Sequence, residues 1–219
     1  DREDREDRED REDREDREDR EGGYKEDAPE DVDDVPNNAV IAAHQRLAAM
    51  AEIEPRVTQT LSDVAATHGG EMIGLEYRFK SVDSLARKMA DQPSIPINDA
   101  LRYTMSFGEA NFTAGTKSAM SVLEKQGFQL KAMRNTFKDG VPYKGINSTY
   151  LTPEGEMFEL QFHTPESFQM KDVINHPLYE QQRVLPRTDP DWIRLQNQMI
   201  QNSSSVPIPP GVSSIKKPK

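Results

Sequence analysis

The chain has 219 residues, room for one domain of ordinary size with tails, and only 34% of them are hydrophobic, which points to a part that does not fold. The formal charge of −11 is unevenly spread: residues 1–34 hold 20 acidic and 8 basic side chains, leaving 19 acidic and 20 basic for the rest. The folded part is therefore close to neutral, and the acidic total does not argue against a polyanionic ligand. With no cysteine, disulfide scaffolds, thiolate metal sites and cysteine nucleophiles are excluded. No apolar run approaches the roughly 18–20 residues of a membrane span, and no signal-peptide pattern opens the chain. A first residue of Asp rather than Met is expected of a piece of a longer protein.

Residues 1–21 repeat Asp-Arg-Glu seven times. In a helix the pairs Asp1→Arg5 and Arg2→Glu6 attract while Glu3→Asp7 repels, and nothing is buried, so the segment is expected to be a solvated helix or coil acting as a spacer. Gly22 and Gly23 end it, and an acidic connector runs to Pro36, giving a tail and linker over 1–36. A domain over 37–200 follows. Asn38 is positioned to cap a helix bearing Val40, Ile41, Leu47, Met50 and Ile53, with Pro55 as a break before a second helix bearing Val57, Leu61, Val64 and Ala65. Gly69-Gly70 stops that helix. A strand is expected over Met72–Lys80, a short helix over 82–91 capped by Ser81 or Asp83, and a strand over Leu101–Phe107. A helix over Gly115–Gln126 and a strand over Phe128–Phe137 come next. The strands Ile146–Leu151 and Met157–His163 are joined by the Pro153–Gly155 turn. Two helical stretches run from about Glu166 to Ile200, with Trp192, Ile193 and Leu195 expected to pack the last one onto the sheet. Residues 201–219 are expected to be a loose, disordered tail. The whole reads as an α+β fold, a mixed sheet of about five strands flanked by helices.

Three groups of residues carry possible chemistry. In Arg78-Phe79-Lys80-Ser81-Val82-Asp83-Ser84-Leu85-Ala86-Arg87-Lys88, strand spacing puts Arg78 and Lys80 on one face, and Ser84 and Lys88 are i,i+4 neighbours on the helix that follows. Cations, a hydroxyl and first-turn N–H groups facing one point suit a polyphosphate, although by spacing alone a solvated basic edge is the commoner case. No glycine-rich phosphate loop is present. Asp99 lies just before one strand, and Glu159 lies within Phe158-Glu159-Leu160-Gln161-Phe162-His163-Thr164. There Glu159, Gln161 and His163 alternate with apolar residues; such a row most often faces water, but two carboxylates on rigid elements near cations also suit a magnesium–triphosphate site. The third group, Tyr143-Lys144-Gly145-Ile146-Asn147-Ser148-Thr149-Tyr150, is by itself a polar loop with a usable lysine.

Taken in order, these groups resemble the synthetase domain of the RelA/SpoT family, the makers of alarmone nucleotides, over residues 57–180. Arg78, Lys80, Ser84 and Lys88 match its Arg-x-Lys-x-x-x-Ser-x-x-x-Lys motif, and Asp99 matches its strand-edge Asp. Gly145 and Ser148 match part of Gly-Tyr-Arg-Ser-x-His, and Glu159, Gln161 and Thr164 match Glu-x-Gln-x-Arg-Thr. The resemblance implies transfer of pyrophosphate from ATP to the 3′-hydroxyl of an acceptor nucleotide, with Mg2+ as cofactor. It implies that Asp99 holds the metal, that Glu159 positions it and activates the hydroxyl, and that Arg78, Lys80, Ser84 and Lys88 hold the ATP phosphates. Lys144, Asn147, Tyr150, Gln161 and His163 are the acceptor-side candidates.

The departures from the pattern are specific. Ile146 stands where the family stacks a tyrosine on guanine, Tyr150 where its loop ends in His, His163 where its last motif has Arg, and Arg102 where a Gly is usual. An aliphatic residue at 146 opens the acceptor to adenosine nucleotides or a tRNA 3′ end. With no hydrolase half, the chain resembles the toxin branch, some members of which are delivered into rival bacteria to act in the cytoplasm and make (p)ppApp. A cognate immunity protein is then an expected partner, and no membrane partner is expected. A non-catalytic nucleotide- or partner-binding module of a phage or secreted assembly is the alternative from another class. His44 and His68 lack metal-ligand spacing and read as surface or capping groups, while Met89, Met105 and Met120 read as core.

Overall fold

The computed structural model describes residues 35–94 and 96–216. The Asp-Arg-Glu repeat and the connector up to residue 34, with the spacer reading made for them, lie outside the described residues.

Helix α1 (Asn37–Thr67) is one element of 31 residues, with Pro55 inside it and Pro36 at its N-cap position. The two helices expected from the proline are thus joined. An interior proline costs about 3 kcal/mol, but Met50, Val57 and Leu61 on either side of it are fully buried. At roughly 1.5–3 kcal/mol per buried side chain, a continuous packing face outweighs the lost backbone bond. Asn38 lies within the first turn, its Oδ1 accepting from the Ala39 amide at 3.0 Å, rather than at the cap.

Five strands follow: β1 (Gly70–Ile73), β2 (Arg102–Phe107), β3 (Gln129–Asn135), β4 (Ile146–Leu151) and β5 (Met157–His163). Their order across the sheet is β1-β2-β5-β4-β3, with β2 and β5 parallel and the other pairs antiparallel. The fold is α+β, a five-stranded mixed sheet flanked by helices. β4 and β5 fall where the alternation placed them. The strand expected to reach Lys80 stops at Ile73, because Gly74 takes a left-handed conformation (φ +63°) and opens a 3-10 turn over Leu75–Tyr77. Phe79 returns to pair with Leu101 as an isolated bridge.

Helix α2 (Val82–Asp91) has Ser81 as its cap, accepting from the Ser84 amide, and packs on α1. Helix α3 (Glu109–Lys125) begins six residues before its expected start and covers β2 and β3. After β5, α4 (Pro165–Gln169) is capped by Thr164 and Ser167 in a reciprocal box, then passes through a π-helical turn (Met170–Asn175) into α5 (His176–Gln182). Helix α6 (Pro190–Ser203) packs on α5 and the π-turn rather than on the sheet; Leu195 is buried there, whereas Ile193 is half exposed.

The segment after α6 departs from the loose tail expected over 201–219. Val206, Val212 and Ile215 are buried. Asn135 donates to the Val212 carbonyl at 2.8 Å, and Thr113 to that of Pro210 at 2.7 Å. Three apolar anchors among prolines and serines are too sparse to show a period, yet each fills a site on the domain.

The registers define two faces of the sheet. Tyr103, Met105, Phe158, Leu160, Phe162, Ile146 and Tyr150 share the apolar face and are all buried. On the other face, Arg102, Glu159 and Thr149 form one cross-strand row, and Thr104, Gln161, Asn147 and Arg134 the next.

Candidate active site

The polar face holds the chemistry. Asp99, on the approach to β2, is almost fully buried, as are Lys80 and Lys88. Lys80 Nζ lies 2.9 Å and Lys88 Nζ 3.2 Å from the same oxygen, Asp99 Oδ2. Asp99 Oδ1 is buried and has no hydrogen-bond partner among the described residues. Burial alone would raise the Asp99 pKa, but the charges of Lys80 and Lys88, then the Lys80 hydrogen bond and Arg102, hold it well below the usual carboxylate range.

Glu159 sits beside Arg102 in the first polar row and is buried. Its environment acts in the opposite direction. Burial and the Asp99 carboxylate raise its pKa, and Arg102, the Gln161 amide and Lys171 only partly offset them. The two carboxylates therefore differ: cations favour the ionised form of Asp99, while burial and a like charge disfavour the ionised form of Glu159. Such a separated pair is the usual arrangement for one charge-bearing and one proton-accepting group.

Gln161 connects Glu159 to a residue that spacing did not reveal. Its amide nitrogen donates to Glu159 Oε1, and its amide oxygen accepts from Lys171 Nζ at 2.7 Å. Since lysine can only donate, the amide is fixed in this orientation. Lys171 belongs to the π-turn and lies over the second polar row. Nothing in its local sequence marks it, because it reaches β5 only through tertiary packing. Asn98 is a second addition, donating to Thr149 Oγ1 at 2.9 Å beside Asp99.

The remaining expected residues divide. Ser84 and Lys88 share one face of α2, one turn apart, and both are buried at the Lys80 side. Arg78 is held elsewhere: its Nε donates to Glu54 Oε1 at 2.6 Å, its Nη1 to the Leu75 carbonyl at 2.5 Å, and it lies over the Phe79 ring. It and Lys80 do not share a strand face, since no regular strand forms there. Asn147 lies in the second polar row and accepts from Tyr143 Oη at 2.6 Å.

Lys144, expected to reach the acceptor's phosphates, is instead buried, with Nζ donating to the Val206 carbonyl at 2.9 Å and 3.5 Å from Asp139 Oδ1. Tyr150 lies on the apolar face, stacked on Phe158 and bordering a cavity of about 530 Å³ on the far side of the sheet. Its hydroxyl has no hydrogen-bond partner among the described residues, and burial raises its pKa. It is not on the acceptor face. His163 is fully buried between Tyr143 Oη (2.9 Å) and Ser167 Oγ (2.8 Å), and burial with the nearby Lys171 charge holds its pKa well below the ordinary value, so the ring is neutral. Ile146 is buried at the start of β4. The Gly145 before it is demanded by space: a Cβ there would lie 2.5 Å from Tyr143 Oη and 2.7 Å from His163 Cε1.

Among the described residues no group of three or more acidic, His or Cys side chains gathers in metal-ligand fashion, and no helix is long and apolar enough to cross a membrane.

No sequence model of a known family and no curated protein matches the chain. Solved structures do. The type VI effector Tas1, solved in complex with its immunity protein, superposes with a TM-score of 0.54 at 21% identity, covering 76% of this chain and 95% of Tas1. Small alarmone synthetase 2 from Bacillus subtilis superposes with a TM-score of 0.50 at 13% identity, covering 76% of this chain and 89% of the synthetase. The resemblance read from Arg78–Lys88, Asp99 and Glu159–Thr164 thus holds for the fold: this chain has the architecture that Tas1 and the small alarmone synthetases share.

Proposed function

We propose that the chain is a nucleotide pyrophosphokinase that transfers pyrophosphate from ATP to the 3′-hydroxyl of an adenosine or guanosine nucleotide, acting as a toxin that makes (p)ppApp. One observation carries the reading: two buried carboxylates lie near each other on the polar side of the sheet, Asp99 with Lys80 and Lys88 and Glu159 beside Arg102, close enough for the Asp99 charge to raise the Glu159 pKa.

Lys80 and Lys88 are arranged to exchange the Asp99 carboxylate for the ATP phosphates, with Ser84 on the same helix face. Glu159 accepts the proton of the acceptor's 3′-hydroxyl. The freed oxygen forms a bond to the β-phosphorus, the bond from that phosphorus to the bridging oxygen of the α-phosphate breaks, and AMP leaves with the electron pair. Such transfers need alignment and neutralisation of charge more than covalent participation by the protein.

The residues fit Mg2+. Asp99 and Glu159 would hold the ion: Asp99 Oδ1 is buried without a partner among the described residues, and the Asp99 charge raises the Glu159 pKa, a repulsion that a bound cation would relieve. Two carboxylates with substrate phosphates are an ordinary ligand set for this ion. Bound there, Mg2+ supplies charge neutralisation for the triphosphate.

The fold shared with Tas1, a type VI effector solved with an immunity protein, supports a delivered toxin acting in the bacterial cytoplasm, with its own immunity partner. Ile146, where the family pattern has the guanine-stacking tyrosine, is aliphatic and buried on the apolar face of the sheet, so position 146 offers guanine no stacking surface and both adenosine and guanosine acceptors are tested. The test is incubation with ATP and Mg2+ together with each of AMP, ADP, GDP and tRNA, followed by mass spectrometry. A nucleotide heavier by two phosphates, lost in Glu159→Gln, is the expected result. Unchanged nucleotides beside an active control enzyme refute the reading, and label carried to tRNA alone redirects it to the tRNA 3′ end.

A further inference from the structure

Of the acceptor-side candidates, Lys144 was expected to reach the acceptor's phosphates and His163 stands where the family pattern has Arg, and neither offers a cation there. Lys144 is buried with its ammonium bonded to the Val206 carbonyl, and position 163, where the family pattern has Arg, holds a fully buried neutral histidine. A nucleotide acceptor nevertheless brings phosphates to this side, and they need a cation. Lys171 supplies one.

Its placement follows from the registers. Lys80 and Lys88 meet Asp99 at the start of β2, and Glu159 lies in the row containing Arg102. Gln161 is the next inward position on β5, about 7 Å further along the strand, and Lys171 Nζ is 2.7 Å from its amide oxygen. The order along the face is therefore the donor-side lysines with Asp99, then Glu159, then Lys171. The base lies between two cationic positions, as transfer between two phosphate-bearing molecules requires.

The fold fixes Lys171 at this point. The π-turn that carries it ends at Asn175, which is buried and donates to the Pro142 carbonyl (3.0 Å), the Met199 carbonyl (3.2 Å) and Ser203 Oγ (3.0 Å), while its own oxygen accepts from Asn202 at 2.9 Å. The anchor ties the turn to the loop before β4 and to α6. π-turns inside helices often mark functional positions. Lys171 is half-buried, so its stem packs while the ammonium stays at the polar face, near the Phe168 ring.

We infer that Lys171 binds the 5′-phosphates of the acceptor nucleotide and sets the preference for the number of phosphates it carries; this rests on the pyrophosphokinase reading above. Gln161 holds the ammonium in place until the phosphates arrive, much as Asp99 holds Lys80 and Lys88 on the donor side.

The test compares wild type, Lys171→Met and Lys171→Arg. Steady-state kinetics use ATP as donor with AMP or ADP as acceptor, and calorimetry measures ADP and AMP binding with a non-transferable ATP analogue present. In Lys171→Met the KM for ADP should rise about tenfold or more, the scale of one lost charge-assisted phosphate contact. The preference for ADP over AMP should shrink towards unity, the KM for ATP should change less than about twofold, and Lys171→Arg should recover most of the loss. If Lys171 only braces the π-turn, the thermal midpoint falls, the KM values for both substrates drift together and the ADP/AMP ratio is unchanged; that overturns the inference. If wild type binds ADP in a Lys171-dependent way but forms no product, the phosphate site stands and the pyrophosphokinase reading fails. If neither product nor Lys171-dependent ADP binding is found, both fail.

Discussion

Replacing Asp99 by Asn removes one negative charge from the point where Lys80 and Lys88 converge, both with side chains about 95% buried. Replacing Glu159 by Gln removes one from a site where burial and Asp99 already disfavour it. Breaking a buried charge cluster by removing one partner costs roughly 3–5 kcal/mol, because the opposite charges stay buried without compensation. With a urea m-value of roughly 2 kcal/mol/M, that lowers the midpoint of unfolding by about 2 M. Glu159→Gln keeps the shape of the side chain, and its amide oxygen still accepts from Gln161, so the midpoint should stay within about 0.5 M of wild type or rise. The sign also follows from linkage. Asp99, with its pKa depressed in the folded state, contributes stability above its unfolded value that is lost as pH falls through the acid range; Glu159, with its pKa raised, costs stability once the unfolded chain would be ionised. Both variants should lose pyrophosphate transfer, Glu159→Gln by at least 100-fold, as for a missing general base. The assay is urea unfolding followed by circular dichroism at pH 7, beside product formation by mass spectrometry. Equal destabilisation by the two substitutions, or an active Glu159→Gln enzyme, would refute the division of roles.

Three further outcomes are expected. His163 is neutral in the fold with its pKa lowered, so its contribution is complete above the unfolded value near 6.5 and declines as pH falls below it, approaching about 1.4 kcal/mol per pH unit; Glu and Asp being common to both proteins, the difference between wild type and His163→Gln in thermal melts from pH 7.5 to 5 isolates this slope. Gly145→Ala drives a methyl into Tyr143 and His163 and should cost about 1–3 kcal/mol, read as a lower urea midpoint, because the ring and the phenol are held by hydrogen bonds and cannot both retreat. Lys144→Met removes the bond to the Val206 carbonyl and should lower stability by about 1 kcal/mol with no change in the KM for the acceptor; a large rise in that KM would return Lys144 to the acceptor side.

The sequence alone determined the local elements and the reactive types. β4 and β5 are bounded as the alternation of polar and apolar residues requires, α2 is capped by Ser81 because a hydroxyl there satisfies a first-turn amide, and Asp99 lies just before β2 and Glu159 within β5, as expected. Such features are set by neighbours a few residues away, so pattern suffices. Tertiary structure alone decided the rest. Pro55 does not break α1 because a face packed on the sheet outweighs the lost bond, and the segment after Ser203 is held by three scattered apolar residues with no period to betray them. Tyr150 faces away from the site because the register of β4 on β5 pairs it with Phe158, on which it stacks on the apolar face. Whether Lys144 or Lys171 carries charge to the acceptor depends on which carbonyl or amide each ammonium finds across the fold, at separations of 62 and 10 residues. A lysine looks the same in sequence whether its ammonium is consumed by a carbonyl or aimed across an active face, and only the three-dimensional neighbours distinguish the two.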